Sequence, residues 1–435
     1  MKKALVLAGG GTRGSYQNGA LKALKKIHET DFDIVTGTSI GALNAALVVQ
    51  NDYKAMDELW HTITQDKIIK GSISLDFNLD TMINERNLIA SFFKSYIKEK
   101  GADISPLKEQ IKYYFNEEKF FSSPVDFGCI TVRHGSLKPE FVTKDMMKEH
   151  GVDWLISSAS AFPAFPVHTF SEGSFVDGGY YDNLPVDFAL RLGADELIVI
   201  DLNNVPQHPC YMYRSNVHYI YPHFPTGSFL DFSRDTLDKL EICGYNDTLK
   251  VFGKYDGILY TFKKMKVPNY YHDFSLKFMM LENDIKVAAQ INKKLNLRSE
   301  GYLQDHLKDL LHVPFVDDYQ IFFGLVDELM KICGCDYKKV WDFKDAQHII
   351  VEHYLPCVKE DYAYLPKLVP TDIVNYVSSL DQDGIITKFI HFIAYEEHSP
   401  FKDEIYLTLS PFEKCLAMLV MEMIKDEKGE IWSNF

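Results

Sequence analysis

Apolar residues in the first half of the chain come as short unbroken runs. Ala4-Leu5-Val6-Leu7-Ala8, Ile34-Val35-Thr36, Phe127-Gly128-Cys129-Ile130-Thr131-Val132 and Glu196-Leu197-Ile198-Val199-Ile200-Asp201 each have the length of a strand. Strands covered on both faces read this way, because neither side has to alternate toward water. Helical patterning lies between them, roughly from Ser15 to His28 and through the alanine-rich run Ala42 to Val49. Strand and helix in alternation predict an α/β fold: a doubly wound, mostly parallel sheet with helices on both faces. A longer helical insertion, including Asp57-Glu58-Leu59-Trp60 and Leu88-Ile89-Ala90-Ser91-Phe92-Phe93, separates the Ala42–Val49 helix from the Phe127 strand.

The pattern changes further on. Ile258 to Val267 reads as added strands and Leu276 to Lys294 as a helix. Beyond position 300 apolar pairs recur at helical spacing, as in Ile321-Phe322, Leu325-Val326 and Leu329-Met330, then Cys415-Leu416, Met418-Leu419 and Met423. The stretch from Leu355-Pro356 to Pro370 separates two helical groups. Three parts are therefore expected: 1–255, a connection over 256–300, and a mainly helical region over 301–435.

Composition narrows the class. With 46% hydrophobic and 25% charged residues in 435, the chain has enough apolar material for a packed core, so it is not a disordered chain. Of the net charge of −15, residues 301–435 carry −12, from 24 Asp and Glu against 12 Lys and no Arg. So acidic a region argues against nucleic acid as a partner. Seven scattered cysteines do not form a disulfide framework, and Cys333-Gly334-Cys335 lacks the second Cys/His pair that a zinc site needs. The apolar start, Met1 to Ala8, stops at glycines and is too short for a secretory leader. No run approaches the ~20 apolar residues of a membrane span, so a cytoplasmic protein with at most peripheral membrane contact is expected.

Two glycine-bearing turns carry the chemistry. Gly37-Thr38-Ser39-Ile40-Gly41 is a G-x-S-x-G elbow between a strand and a helix. Its small flanking residues let the turn hold Ser39 in a strained conformation, with its hydroxyl at the positive end of a helix. Upstream, Gly9-Gly10-Gly11-Thr12-Arg13-Gly14 follows the first strand and opens a helix. Gly9, Gly11 and Gly14 satisfy the dinucleotide fingerprint, but the acidic candidates Asp31 and Asp33 precede the second strand instead of ending it. The same loop also reads as a nest of backbone N–H groups beside the elbow, an oxyanion hole whose donors are worth roughly 3–4 kcal/mol each. Arg13 is then expected to place a positive charge near the developing anion or a substrate phosphate.

A serine nucleophile needs a base, and Ser174-Phe175-Val176-Asp177-Gly178-Gly179 reads as a strand ending in a carboxylate that other segments can approach closely. His208, His218 and His223 fall in an aromatic-rich stretch and read as packing or surface residues. The aromatic stretch itself, 207–232, reads as packing, with a lipid-contacting rim as the alternative.

Together, the glycine loop, the elbow and Asp177-Gly178-Gly179 resemble the patatin-like phospholipase family over about residues 1–255. Supporting stretches are Ala159 to Pro166, Leu230-Asp231-Phe232-Ser233 and Gly244-Tyr245. The resemblance implies hydrolysis of lipid acyl esters by a Ser–Asp dyad, with neither histidine nor calcium and no cofactor. It implies Ser39 as nucleophile, Asp177 as base and the backbone N–H groups around Gly10 and Gly11 as oxyanion donors. The insertion after the elbow helix is expected to cap the site and shape an acyl pocket. A lipid-binding or scaffold protein on the same fold is the alternative function, and a dinucleotide-binding oxidoreductase a more distant one.

Overall fold

A computed structural model describes residues 1–70, 102–294, 303–358, 380–394 and 410–429. It divides into two compact units, Met1–Lys254 and Tyr255–Phe435. Of the expected insertion, Leu88–Phe93 lies outside the described residues, as does the stretch to Pro370 beyond position 358.

The first unit is built on an eight-stranded sheet. Its strands are β1 (Lys3–Leu7), β2 (Ile34–Thr38), β3 (Asp126–Arg133), β4 (Pro139–Thr143), β5 (His168–Phe170), β6 (Gly173–Asp177), β7 (Glu196–Ile200) and β8 (Val217–Ile220). The order is β5-β6-β3-β2-β1-β7-β8, with β4 also paired to β3. Strands β3, β2, β1, β7 and β8 are parallel, while β4, β5 and β6 pair antiparallel at one side. The unbroken apolar runs of the parallel strands are buried throughout; Leu5, Val6, Ile34, Val35, Ile198 and Val199 have no exposed surface. β2 shows how both faces are covered. Thr36 and Thr38 donate to the carbonyls of Pro185 and Asp182 on one side, while Gly37 lies against the Gly41 carbonyl on the other.

Helices α1 (Gly14–Lys26), α2 (Ile40–Val49), α3 (Tyr53–Thr62), α4 (Ser105–Tyr114), α5 (Glu117–Ser122), α6 (Met147–Ser158), α7 (Val186–Arg191) and α8 (Arg234–Val251) surround the sheet. α1 and α8 are joined by buried polar bonds. The Ser15 hydroxyl donates to the Leu237 carbonyl at 2.8 Å, and the Tyr16 hydroxyl to Asp247 at 2.7 Å. Lys250 pairs with the same buried carboxylate at 2.8 Å. α1 is thereby anchored at the end that carries the glycine loop.

The second unit is mainly helical, with a small sheet of β9 (Tyr255–Asp256), β10 (Thr261–Lys263) and β11 (Val340–Trp341). Its helices are α9 (Tyr270–Lys294), α10 (Leu303–Leu311), α11 (Asp318–Ile332), α12 (Phe343–Tyr354), α13 (Gln382–Ala394) and α14 (Pro411–Lys428). The stripes at helical spacing are core: Ile321, Phe322, Leu325, Val326, Leu329 and Met330 of α11 are buried with Cys415, Leu416, Leu419 and Met423 of α14. Phe262 of β10 and Tyr270, Phe274 and Phe278 of α9 belong to the same core, so the segment after 256 contributes to this unit's packing. All seven cysteines are free thiols. Among the described residues no helix is long and apolar enough to cross a membrane.

Phe322 is fully buried, with its ring centroid 5.0 Å from Tyr271 and 5.7 Å from Phe343. Phe322→Ala should therefore lower the unfolding free energy of this unit by about 3–5 kcal/mol in chemical denaturation. A loss below about 1 kcal/mol would contradict the packing described here.

Candidate active site

Parallel register places the two glycine-bearing turns side by side. β1 pairs with β2 so that Leu7 faces Gly37, and both strands end at the same edge of the sheet. Ser39 follows β2 with φ 56° and ψ −126°, a strained conformation for a residue with a side chain, worth about 1–3 kcal/mol. Its backbone N–H donates to the Ser158 hydroxyl at 3.0 Å, and that hydroxyl donates to the Ile130 carbonyl at 2.7 Å. Ser158, at the end of α6, is thus a buried brace for the elbow. Gly41 lies where a Cβ would be 2.3 Å from the Leu7 carbonyl, so the elbow packs backbone to backbone on β1.

The glycine loop lies directly on the serine. A Cβ on Gly9 would stand 3.0 Å from the Ser39 Cβ and 2.3 Å from the Asn183 side-chain oxygen. Gly9 donates its N–H to the Asn183 carbonyl at 2.9 Å, and its own carbonyl accepts from the Asn183 side-chain amide at 3.0 Å. Thr12 donates its N–H to the Phe229 carbonyl at 2.8 Å. These two amides are engaged, whereas the Gly10 and Gly11 N–H groups have no protein acceptor among the described residues. Gly11 has φ +58°, which turns the loop into α1, and the Phe229 carbonyl passes where its Cβ would be. Gly14 starts α1 against Trp60 and Ile40.

Asp177 arrives from the antiparallel side. It pairs in register with Thr131 of β3, whose neighbour Ile130 pairs with Thr38 of β2. Asp177 is 7% exposed, and its carboxylate accepts the Gly179 N–H at 2.8 Å. Burial pushes its pKa up to about 6; the polar influence of the Ser39 side chain and the Gly179 N–H opposes that shift and only partly cancels it. Gly178 touches the Ile130 carbonyl, which brings the Asp177 turn against β3. The backbone N–H of Asp177 donates to the Ser160 carbonyl at 2.8 Å.

Arg13 bonds the loop that follows β8. Its guanidinium is 7% exposed and bonds the Gly227 carbonyl through Nε and Nη2, at 3.2 and 2.7 Å, and the Asn203 side chain through Nη1 at 3.0 Å. The planar fork is matched to these acceptors. The histidines lie elsewhere. His208 contacts Asp182 at 3.5 Å, which raises its pKa, while His218 stacks on Phe252 and His223 packs tilted against Tyr221. Asp33 accepts the Lys3 N–H at the opposite edge of the sheet from the glycine loop.

Ser39 opens onto an apolar cavity of ≈ 970 Å³, its mouth included. One stripe of α2, Ile40, Leu43, Ala46, Leu47 and then Gln50, forms its length. Leu59, Trp60 and Ile63 after the elbow helix, then Leu107, Ile111 and Tyr114 of α4, form another wall, as the insertion was expected to do. Phe229, Leu230 and Phe232 close a third side. The aromatic stretch therefore divides: these residues face the cavity, while Tyr211, Tyr219, Tyr221 and Phe224 are buried packing.

Two clusters elsewhere bring carboxylates and a histidine within 4.8 Å of one another, Asp57–His61–Glu241 and His348–Glu352–Glu427. Each already holds a lysine, Lys22 and Lys428 respectively, in the place of a cation, and neither includes a residue of the Ser39 site.

Residues 5–190 match the family model described as Patatin-like phospholipase. It is 29% identical over 204 residues to a protein named lysophospholipase nte1 from Aspergillus terreus, covering 46% of this chain and 12% of that protein. It is 27% identical over 217 residues to the Escherichia coli protein YjjU, covering 48% of this chain and 53% of that one. The chain thus spans only part of the curated relatives it matches. VipD from Legionella pneumophila superposes with a TM-score of 0.38 at 13% identity, over 95% of this chain and 91% of that one. A likeness that low bears on neither fold nor function.

Because burial raises the Asp177 pKa, the native state holds this proton more tightly than the unfolded chain does. The ionised group therefore costs stability, and the cost grows as pH rises from about 4 through about 6. Asp177→Asn should accordingly raise stability by about 1–3 kcal/mol at pH near 7.5 and by little near pH 4. Equal effects at both pH values in denaturant titrations would refute the burial argument.

Proposed function

We propose that this chain hydrolyses the acyl ester of a lipid, with Ser39 as nucleophile and Asp177 as general base. The observation that carries the reading is the buried Asp177 carboxylate, brought by strand register level with a strained serine at the mouth of an apolar cavity. The Ser39 oxygen attacks the ester carbonyl while its proton passes to Asp177. The oxygen that becomes negative is met by the Gly10 and Gly11 N–H groups. Collapse of the tetrahedral adduct expels the alcohol, which takes the proton back from Asp177. Water then repeats the sequence on the acyl-enzyme, with Asp177 again accepting the proton. A pKa near 6 is suited to this work, because the group is ionised at neutral pH yet basic enough to share a proton.

The family match and relatives bearing the name lysophospholipase support a lipid acyl ester as substrate. The cavity agrees with one acyl chain. From Ser39 to Gln50 the α2 stripe runs about 16 Å at ~1.5 Å per residue. An extended chain advances roughly 1.2 Å per bond, so about 12–14 carbons fit along it. The catalytic part is residues 1–255, and the acidic helical region 301–435 is an accessory domain. A dinucleotide reading is disfavoured by Asp33, which serves the other edge of the sheet.

Fluorophosphonate labelling and ester hydrolysis test the dyad together. Ser39→Ala should abolish labelling, and both Ser39→Ala and Asp177→Asn should lower kcat by roughly 10³-fold or more. If Ser39→Ala still labels and hydrolyses, the mechanism is wrong. In the wild type kcat/KM should rise with pH and level off above about 6, as Asp177 ionises. Leu47→Trp, which fills the middle of the cavity, should move the preferred acyl chain to shorter lengths, read from a series of p-nitrophenyl esters. An unchanged optimum would remove the α2 stripe from the acyl site.

A further inference from the structure

We infer that Arg13 is a positioning residue for the wall of the acyl cavity, and through it a determinant of chain-length preference. The inference rests on the hydrolase reading above. Residues 222–233 join β8 to α8 and include no helix or strand of their own. The segment's own bonds, from the Leu230 and Asp231 N–H groups to Ser228, are joined by bonds that other segments supply. Around Phe229 those bonds come from the glycine loop. Arg13 grips the Gly227 carbonyl with two donors and reaches Asn203 with a third. Thr12 adds its N–H to the Phe229 carbonyl and its hydroxyl to the Ser228 carbonyl at 3.2 Å. Gly227 itself turns at φ +75°, and among the described residues nothing lies within 4 Å of where its Cβ would be.

Directly after the gripped carbonyls come Phe229, Leu230 and Phe232, the third side of the cavity. The same loop whose Gly10 and Gly11 amides are free therefore holds the surface against which an acyl chain lies. Arg13 suits this task because a planar guanidinium satisfies two separated acceptors at once. A lysine ammonium keeps the charge but loses the fork. Removing the fork frees the strap, and the penalty falls on substrates that lean on it. A long acyl chain does so, and an acetyl group does not reach it.

The test compares p-nitrophenyl dodecanoate with p-nitrophenyl acetate on wild type, Arg13→Gln, Arg13→Lys and Phe229→Ala. The ratio of dodecanoyl to acetyl kcat/KM should fall about tenfold in both Arg13 variants, chiefly through KM. Phe229→Ala should lower the same ratio, and it covers the case in which the buried Arg13 variants do not fold. Binding of a long-chain fluorescent polyene fatty acid should weaken in step, which reads the wall without turnover. A fall in kcat that is equal for both esters and rescued by Arg13→Lys would overturn the inference and return Arg13 to the reacting anion. An unchanged ratio in Phe229→Ala would overturn it as well. Wild type that hydrolyses neither ester, or Ser39→Ala that hydrolyses both, would instead defeat the hydrolase reading, and the fatty-acid binding would still decide the role of Arg13.

Discussion

The side-by-side parallel pairing of β1 and β2 is the constraint on which the rest of the site depends. Its register sets Leu7 opposite Gly37, so both strands run out at one edge and their two glycine turns meet there. Neither turn makes a site by itself. The glycine loop alone is a nest of amides, and the elbow alone is a strained serine. In contact, with Gly9 against the Ser39 Cβ, they bring the glycine loop up to the strained serine.

That arrangement holds two unfavourable features at once. Ser39 has a backbone conformation rarely adopted by residues with side chains, and Asp177 is a carboxylate out of water. Both persist because their surroundings are over-determined. Ser158 braces the elbow amide, and Ser160 holds the Asp177 amide. Asn183 stitches the Asp177 turn to Gly9 and also donates to Gln207. Gln207 in turn bonds the fully buried Asp201, whose carboxylate collects the amides of Leu202, Asn203 and Gln207 and the Tyr219 hydroxyl. A chain of hydrogen bonds thus runs from β8 to the glycine loop.

How much of this was legible depended on the distance over which each feature is encoded. The strands, the elbow and the strap-bearing aromatic stretch are local patterns, and their burial follows from unbroken apolar runs such as Leu197 to Ile200. The helical stripes of the second unit were equally plain, since spacing alone put Phe322 and Leu416 in a core. The bonds of Arg13 had no local signal, because its fork is matched to acceptors about 190 and 214 positions away. Ser158 and Asn183 had no signal of their own. A serine at a helix end and an asparagine in a turn are ordinary residues until a partner strand brings them to the elbow.

The amino-acid sequence by itself determined the kinds of elements, their order, and the residue types able to do acyl chemistry, because each is encoded within a few neighbouring positions. Tertiary structure alone decided which of those residues meet. Strand order and register brought Asp177, on an antiparallel strand, level with Ser39 from a separation of well over a hundred residues. The same packing removed Asp177 from water and so set its basicity. It also set the partners of Arg13, because a guanidinium goes where its donors are matched.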